Sequence, residues 1–214
     1  MASTTDDKRE AESRKIYEAL GRYVVAFEHL VHEVREICLL LMCPDLDPKA
    51  QTLAEVPLHS NFMGPAALRE VFLTLVAERV KQLEADSAKK GDTFPKEDKD
   101  AILAITKQIN SEFGARTKTR NEVVHAKWFI GFGDERVDGF KDAGHVKRTL
   151  TRRGLGFVKK PPQTAEDIDA LTKECDDTAA FVSHFAICFV WSDGPIGTAQ
   201  RFKLNGKSWE IRKS

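Results

Sequence analysis

Apolar residues recur along the first part of the chain at steps of three and four: Ile16, Leu20, Tyr23, Val24, Phe27, Leu30, Val31, Val34, Cys38 and Leu41. That spacing lines one face of a long helix over residues 10–43, behind a polar lead at residues 1–9 that reads as frayed. Pro44 and the loop at residues 45–48 end it. Gly21 falls inside this helix, where it costs about 1 kcal/mol relative to Ala and marks a place where another helix can come close. Residues 44–64 are polar and punctuated by proline, and read as a loop.

Gly64-Pro65 opens a second helix over residues 65–86, with Pro65 suited to a first turn that needs no N–H from it. Leu68, Val71, Phe72, Leu75, Val76, Val80 and Leu83 form its apolar face. A third helix, residues 95–126, starts near Pro95 with Glu97 and Asp98 in the first turn, where the helix dipole favours negative charge. It continues through Ile102, Ile105, Ile109 and Phe113 towards Val123 and Val124.

The helical period then stops. Over residues 128–160 isolated apolar residues alternate with glycines and charges, which fits a short β-hairpin or meander inserted between the third and fourth helices. Thr164 followed by Asp167 resembles a capping box and opens the fourth helix, residues 164–192. Its apolar positions include Ile168, Leu171, Cys175, Phe181, Val182, Phe185, Ile187, Phe189 and Val190, and Gly194-Pro195 is its stop signal. Residues 201–212 contain Asn205-Gly206 between two short runs, the signal of a tight two-residue hairpin turn. The pattern as a whole predicts a mainly α protein: residues 1–214 form one helical domain, an antiparallel four-helix bundle with the β insertion and a C-terminal β-hairpin.

Composition narrows the function classes. The 214 residues are 42% hydrophobic and 31% charged, ordinary for a globular domain. Lys plus Arg and Asp plus Glu each total 33, so net charge supplies no general attraction to nucleic acid or membranes and any such argument must be local. The four cysteines have no paired spacing and read as reduced core thiols. The polar, charged N-terminus has no secretory pattern, and the longest apolar run, residues 179–191, falls short of the roughly 20 residues of a membrane span. The expected location is cytoplasmic, with no membrane partner.

Candidate chemistry is concentrated in residues 116–128, R-T-K-T-R-N-E-V-V-H-A-K-W. The chain has no phosphate-cradling Gly-rich loop and no H-E-x-x-H zinc helix. His29 and His32 could share a metal, but no cluster of further ligands supports them, and His59, His145 and His184 have no recognisable partners. At about 100° per residue, Asn121 and His125 lie nearly on one helix face, about 40° apart, whereas Arg120 and His125 are about 140° apart. Arg120 reaches His125 only through its long side chain, through unwinding at the helix end, or across the two-fold axis of a dimer.

Arg120, the polar Asn121 and His125, with four residues between the Arg and the His, resemble the motif of the HEPN superfamily, which lies near the end of a helix in a four-helix or five-helix bundle. The placement late in the third helix agrees. The resemblance implies metal-independent RNA cleavage without a cofactor, by a homodimer whose Arg and His line a shared cleft, with Arg120, Asn121 and His125 as the catalytic group. Toxin or defence roles, and an antitoxin or other protein partner, follow from family members alone. The residues suit the chemistry: a neutral His can take the proton of a ribose 2′-hydroxyl and Arg can stabilise the phosphate. Asn121 would orient His125 or bind phosphate, and Glu28 on the first helix is a further polar partner. The alternative is a non-catalytic module of the same type that binds a nucleotide, RNA or protein partner. Local basic residues supply the expected RNA contacts: Arg116, Lys127, Lys147, Arg148, Arg152 and Arg153. The acidic stretch at residues 166–177 can equally neutralise the basic segment that precedes it.

Overall fold

The computed structural model of the protein describes residues 3–43, 47–60, 63–125, 127–130, 143–151, 154–160, 164–190 and 197–212. Six helices are present among them: α1 (Ser3–Met42), α2 (Pro48–Leu58), α3 (Pro65–Lys89), α4 (Lys96–Val124), α5 (Ala165–Val190) and the short α6 (Thr198–Arg201). Strands β1 (Lys127–Ile130), β2 (Ala143–Thr151) and β3 (Gly154–Lys160) form an antiparallel sheet in sequence order, and β4 (Phe202–Asn205) pairs with β5 (Ser208–Ile211). The mainly helical class, the β insertion and the C-terminal hairpin all follow the sequence pattern.

Several expectations change. The polar lead is helical from Ser3, and it holds no Gly or Pro to interrupt the helix. The stretch expected as a loop contains α2, so the insertion follows the fourth helix rather than the third. Asp47 caps α2 by accepting from the Lys49 and Ala50 amides, both at 3.3 Å, with Pro48 at the first position. Pro57 lies in the last turn, where the helix is about to stop. The third change concerns Gly21, where an added Cβ would meet nothing within 4 Å, whereas at Gly114 it would fall 2.7 Å from Arg69 Nη1. The close approach is at Gly114, by a flexible guanidinium.

Two compact units divide the chain, Met1–Glu28 with Lys118–Asp176, and His29–Thr117 with Asp177–Ser214. In the first, Ile16, Ala19, Tyr23, Phe27, Val123, Ile168 and Cys175 are buried. Val24, assigned to the apolar face, is exposed instead. Thr164 and Asp167 form the expected capping box: the Thr164 amide donates to the Asp167 carboxylate at 3.2 Å and the Asp167 amide to the Thr164 hydroxyl at 3.1 Å. Arg22 grips Asp169 through both Nε and Nη2, an exposed pair contributing less than about 1 kcal/mol.

In the second unit the core holds Leu30, Val34, Ile37 and Cys38 of α1, Leu68, Phe72 and Val76 of α3, Ile102, Ile105, Ile109 and Phe113 of α4, Val182 and Phe185 of α5, and Phe202. Each set follows helical spacing, so burial of one face orders each helix. Asp98, only 5% exposed, accepts from the Gly197 and Ala199 amides, each at 2.9 Å. Gly197 sits at the N-cap of α6 with φ of 89° and has no side chain to cap with. A carboxylate from the first turn of α4 therefore does the capping. Gln108 acts likewise on the hairpin: its amide donates to the Trp209 carbonyl at 3.2 Å and accepts from the Trp209 amide at 2.6 Å. The Asn205↔Ser208 pairing makes Gly206-Lys207 the turn, one residue beyond the expected Asn205-Gly206, with Gly206 at φ of 62°. The stop expected at Gly194-Pro195 lies outside the described residues. Among the described residues no helix is long and apolar enough to cross a membrane.

All four cysteines are free and buried. Desolvation pushes the Cys38 thiol from its ordinary 9.0 up to about 12. The folded protein therefore keeps a proton that the unfolded chain releases above about pH 9, so stability falls as pH rises from there towards 12, by up to about 1.4 kcal/mol per pH unit. Urea unfolding at pH 8 and pH 10 should show this loss, and Cys38→Ala should reduce it, leaving the share of Cys188, whose thiol is also pushed up by burial; an unchanged slope would assign the loss to other groups. Asp98→Ala should cost about 2 kcal/mol, since two part-buried amides lose a charged acceptor, and should accelerate hydrogen exchange at Gly197 and Ala199. Protection equal to wild type at those amides would refute the capping role.

Candidate functional site

The cluster singled out in the sequence sits in the last turn of α4. Arg116 and Arg120 are one helical turn apart and both are half-buried, whereas Asn121 and His125 are exposed. The His125 amide donates to the Asn121 carbonyl at 3.3 Å, so the helical turn persists to His125 and keeps Asn121 and His125 on nearly one face. The unwinding that would have let Arg120 swing towards His125 is absent at this turn.

Arg120 is instead held from the α1 side. Its guanidinium carbon stands 5.7 Å from the centre of the Phe27 ring, within cation–π range. Nη2 lies 3.9 Å from the Glu28 carboxylate and Nη1 donates to Asn121 Oδ1 at 3.4 Å. Both are long contacts. The side chain is 27% exposed, and its Nε is buried with no hydrogen-bond partner among the described residues. The chain thus seats an arginine on an aromatic ring, next to a surface amide, with a surface imidazole further along the helix on a different face.

Of the anticipated polar partners, Glu28 is brought to Arg120 and His125 is not shown beside it. Phe27 carried no signal of its own, because an aromatic at a core position of an amphipathic helix reads as packing. Among the expected RNA contacts, Lys127 is the first residue of β1, paired with Val146, while Lys147 and Arg148 lie in β2 opposite Val158 and Phe157. Arg152 and Arg153 lie outside the described residues. His29 and His32 make surface contacts with Glu33 and Glu36, one turn on, at 3.2 and 3.9 Å. Among the described residues no group of three or more His, Cys, Asp or Glu is arranged to hold a metal ion.

Comparison of the chain with family models, with curated proteins and with solved structures finds no match. The chemistry of the residues is therefore the ground for any reading of function.

The weights of the contacts around Arg120 can be separated. Glu28→Gln should change stability by less than about 0.5 kcal/mol, because the pair is long and half-exposed. Arg120→Ala should cost about 1 kcal/mol more, through lost packing and cation–π contact with Phe27. Urea unfolding of the two variants checks the order, and a larger loss from Glu28→Gln would make the ion pair the principal restraint.

Proposed function

We infer that the protein is a metal-independent endoribonuclease of the HEPN type, built on an antiparallel bundle of α1, α3, α4 and α5. The observation that carries this reading is Arg120, seated on Phe27 with its Nη groups held only by long contacts, one residue before the exposed Asn121 and five before the exposed His125. Phosphate binding needs a fixed cation with unused N–H groups, and proton removal needs an accessible imidazole.

In this mechanism His125 Nε2 or Nδ1 takes the proton of a ribose 2′-hydroxyl, and the 2′-oxygen attacks the adjacent phosphorus. The bond from phosphorus to the 5′-oxygen breaks, leaving a 2′,3′-cyclic phosphate, and the departing oxygen takes up a proton to become a 5′-hydroxyl. Arg120 stabilises the charge that builds on the phosphate oxygens, and Asn121 orients phosphate or imidazole. Because Arg120 and His125 lie on different faces of an intact turn, the shared cleft of a homodimer is the arrangement that supplies both to one phosphate. The contact between Arg120 and Glu28 favours a second reading, a non-catalytic module in which an incoming nucleotide, RNA or acidic protein group displaces Glu28.

Purified protein incubated with RNA in EDTA should release fragments with cyclic-phosphate and 5′-hydroxyl ends. His125→Ala should slow cleavage by about 10²–10⁴-fold without unfolding the chain, since the residue is exposed. No cleavage by the wild type, or equal cleavage by the variant, would remove the enzyme reading. RNA binding that survives without cleavage and is lost in Arg120→Ala would support the binding module.

A further inference from the structure

The second compact unit contains a cleft that the reading above does not use. It has a volume of about 460 Å³ and lies between α5, which contributes His184 and Ile187, and the α6 and hairpin segment, which contributes Gln200, Arg201, Phe202, Ile211 and Arg212. Its size is that of a small-molecule site. None of the lining residues is acidic, and two are arginines.

The polar groups are held in place by their own hydrogen bonds. Arg212 Nε donates to the Phe202 carbonyl at 3.2 Å, and its backbone amide donates to the Arg201 carbonyl at 2.9 Å. The guanidinium is anchored by one edge, and its two terminal Nη groups have no carboxylate partner among the described residues. That outer fork is the edge that matches two oxygens of a carboxylate or phosphate. His184 Nδ1 lies 2.8 Å from the Ala180 carbonyl. A carbonyl only accepts, so Nδ1 carries the hydrogen and Nε2 of the neutral ring is left with a lone pair for an O–H or N–H of a ligand.

The apolar side is equally defined. Ile187 is 40% exposed although it sits in a strongly apolar helix. Phe202 is 1% exposed and stacks edge-on against Phe181 and Phe185, with centroids 5.5 and 6.4 Å away. The wall under Ile187 and Ile211 is therefore rigid. Asp98 pins α6 and Gln108 pins the hairpin, so the two sides of the cleft do not have to be ordered by the ligand.

We propose that this cleft binds a small organic oxyanion, a carboxylate or phosphate ester on an apolar body, with the anion on the Nη fork of Arg212 and the body against Ile187 and Ile211. The site is independent of Arg120 and His125, so it stands or falls separately from the nuclease reading.

The test is a titration of the full-length ¹⁵N-labelled protein, followed by its amide resonances, with phenyl phosphate, benzoate and inorganic phosphate as separate probes. At least one of the two organic anions should give saturable shifts centred on His184, Ile187 and Arg212, with Kd of about 1 mM or tighter. Preference between them identifies the anion. Arg212→Gln, at an exposed position, should weaken binding about tenfold. Ile187→Ala should weaken the organic anions and leave inorganic phosphate unchanged. His125→Ala should have no effect. Absence of saturable shifts with either organic anion would overturn the proposal, as would unchanged affinity in Arg212→Gln or tighter binding of inorganic phosphate than of both organic probes.

Discussion

Asp98 is the contact on which the second compact unit turns. A helix as short as α6 gains little from its own hydrogen bonds, and Gly197 at its start has nothing to cap with. Leaving those part-buried amides bare would cost more than α6 could contribute. By accepting both, one carboxylate fixes where the chain re-enters after α5, and with it the start of β4 and the position of Phe202 against Phe181 and Phe185. The same residue also satisfies the helix dipole at the start of α4. Two requirements, at points 99 residues apart in the chain, are met by one side chain.

Arg120 shows the opposite economy. Its contacts with Glu28 and Asn121 are both long, and its Nε is buried without a partner, so the surroundings orient the guanidinium without saturating it. A buried Nε without a partner recurs at Arg35 and Arg69, so what sets Arg120 apart is its seat on the Phe27 ring. Residues 120–125 therefore start from a guanidinium that its neighbours orient without a close ion pair.

Much of the fold was legible because burial of one face writes its period into the chain. The faces of α3, α4 and α5, the Thr164–Asp167 capping box and the C-terminal hairpin were all readable from local spacing. α2 was not, because its apolar residues fall on both sides: Ala54 and Leu58 are buried, whereas Leu53 and Val56 are 75% and 69% exposed. Its three flanking and internal prolines also read as punctuation, although Asp47-Pro48 is a sound helix start. The role of Asp98 was half legible, since the dipole argument placed it and nothing local announced Gly197. The same limit applies to the candidate site. Spacing alone established that Arg120 and His125 diverge, but the ring beneath Arg120 depends on packing between α1 and α4. His184 and Arg212 gave no signal because they are 28 positions apart and meet only through the tertiary fold.

Gln108 has one more consequence. The N–H and C=O of Trp209 are both occupied by its side-chain amide, so they do not serve the pairing with β4 and belong to the outer border of the hairpin. A two-stranded ribbon with a bare border is a template on which a strand from another molecule can grow. Here a glutamine stands where that strand's peptide group would dock, reproducing its donor and its acceptor. The β5 border of the hairpin is thereby blocked at Trp209, by a helix rather than by the hairpin's own sequence.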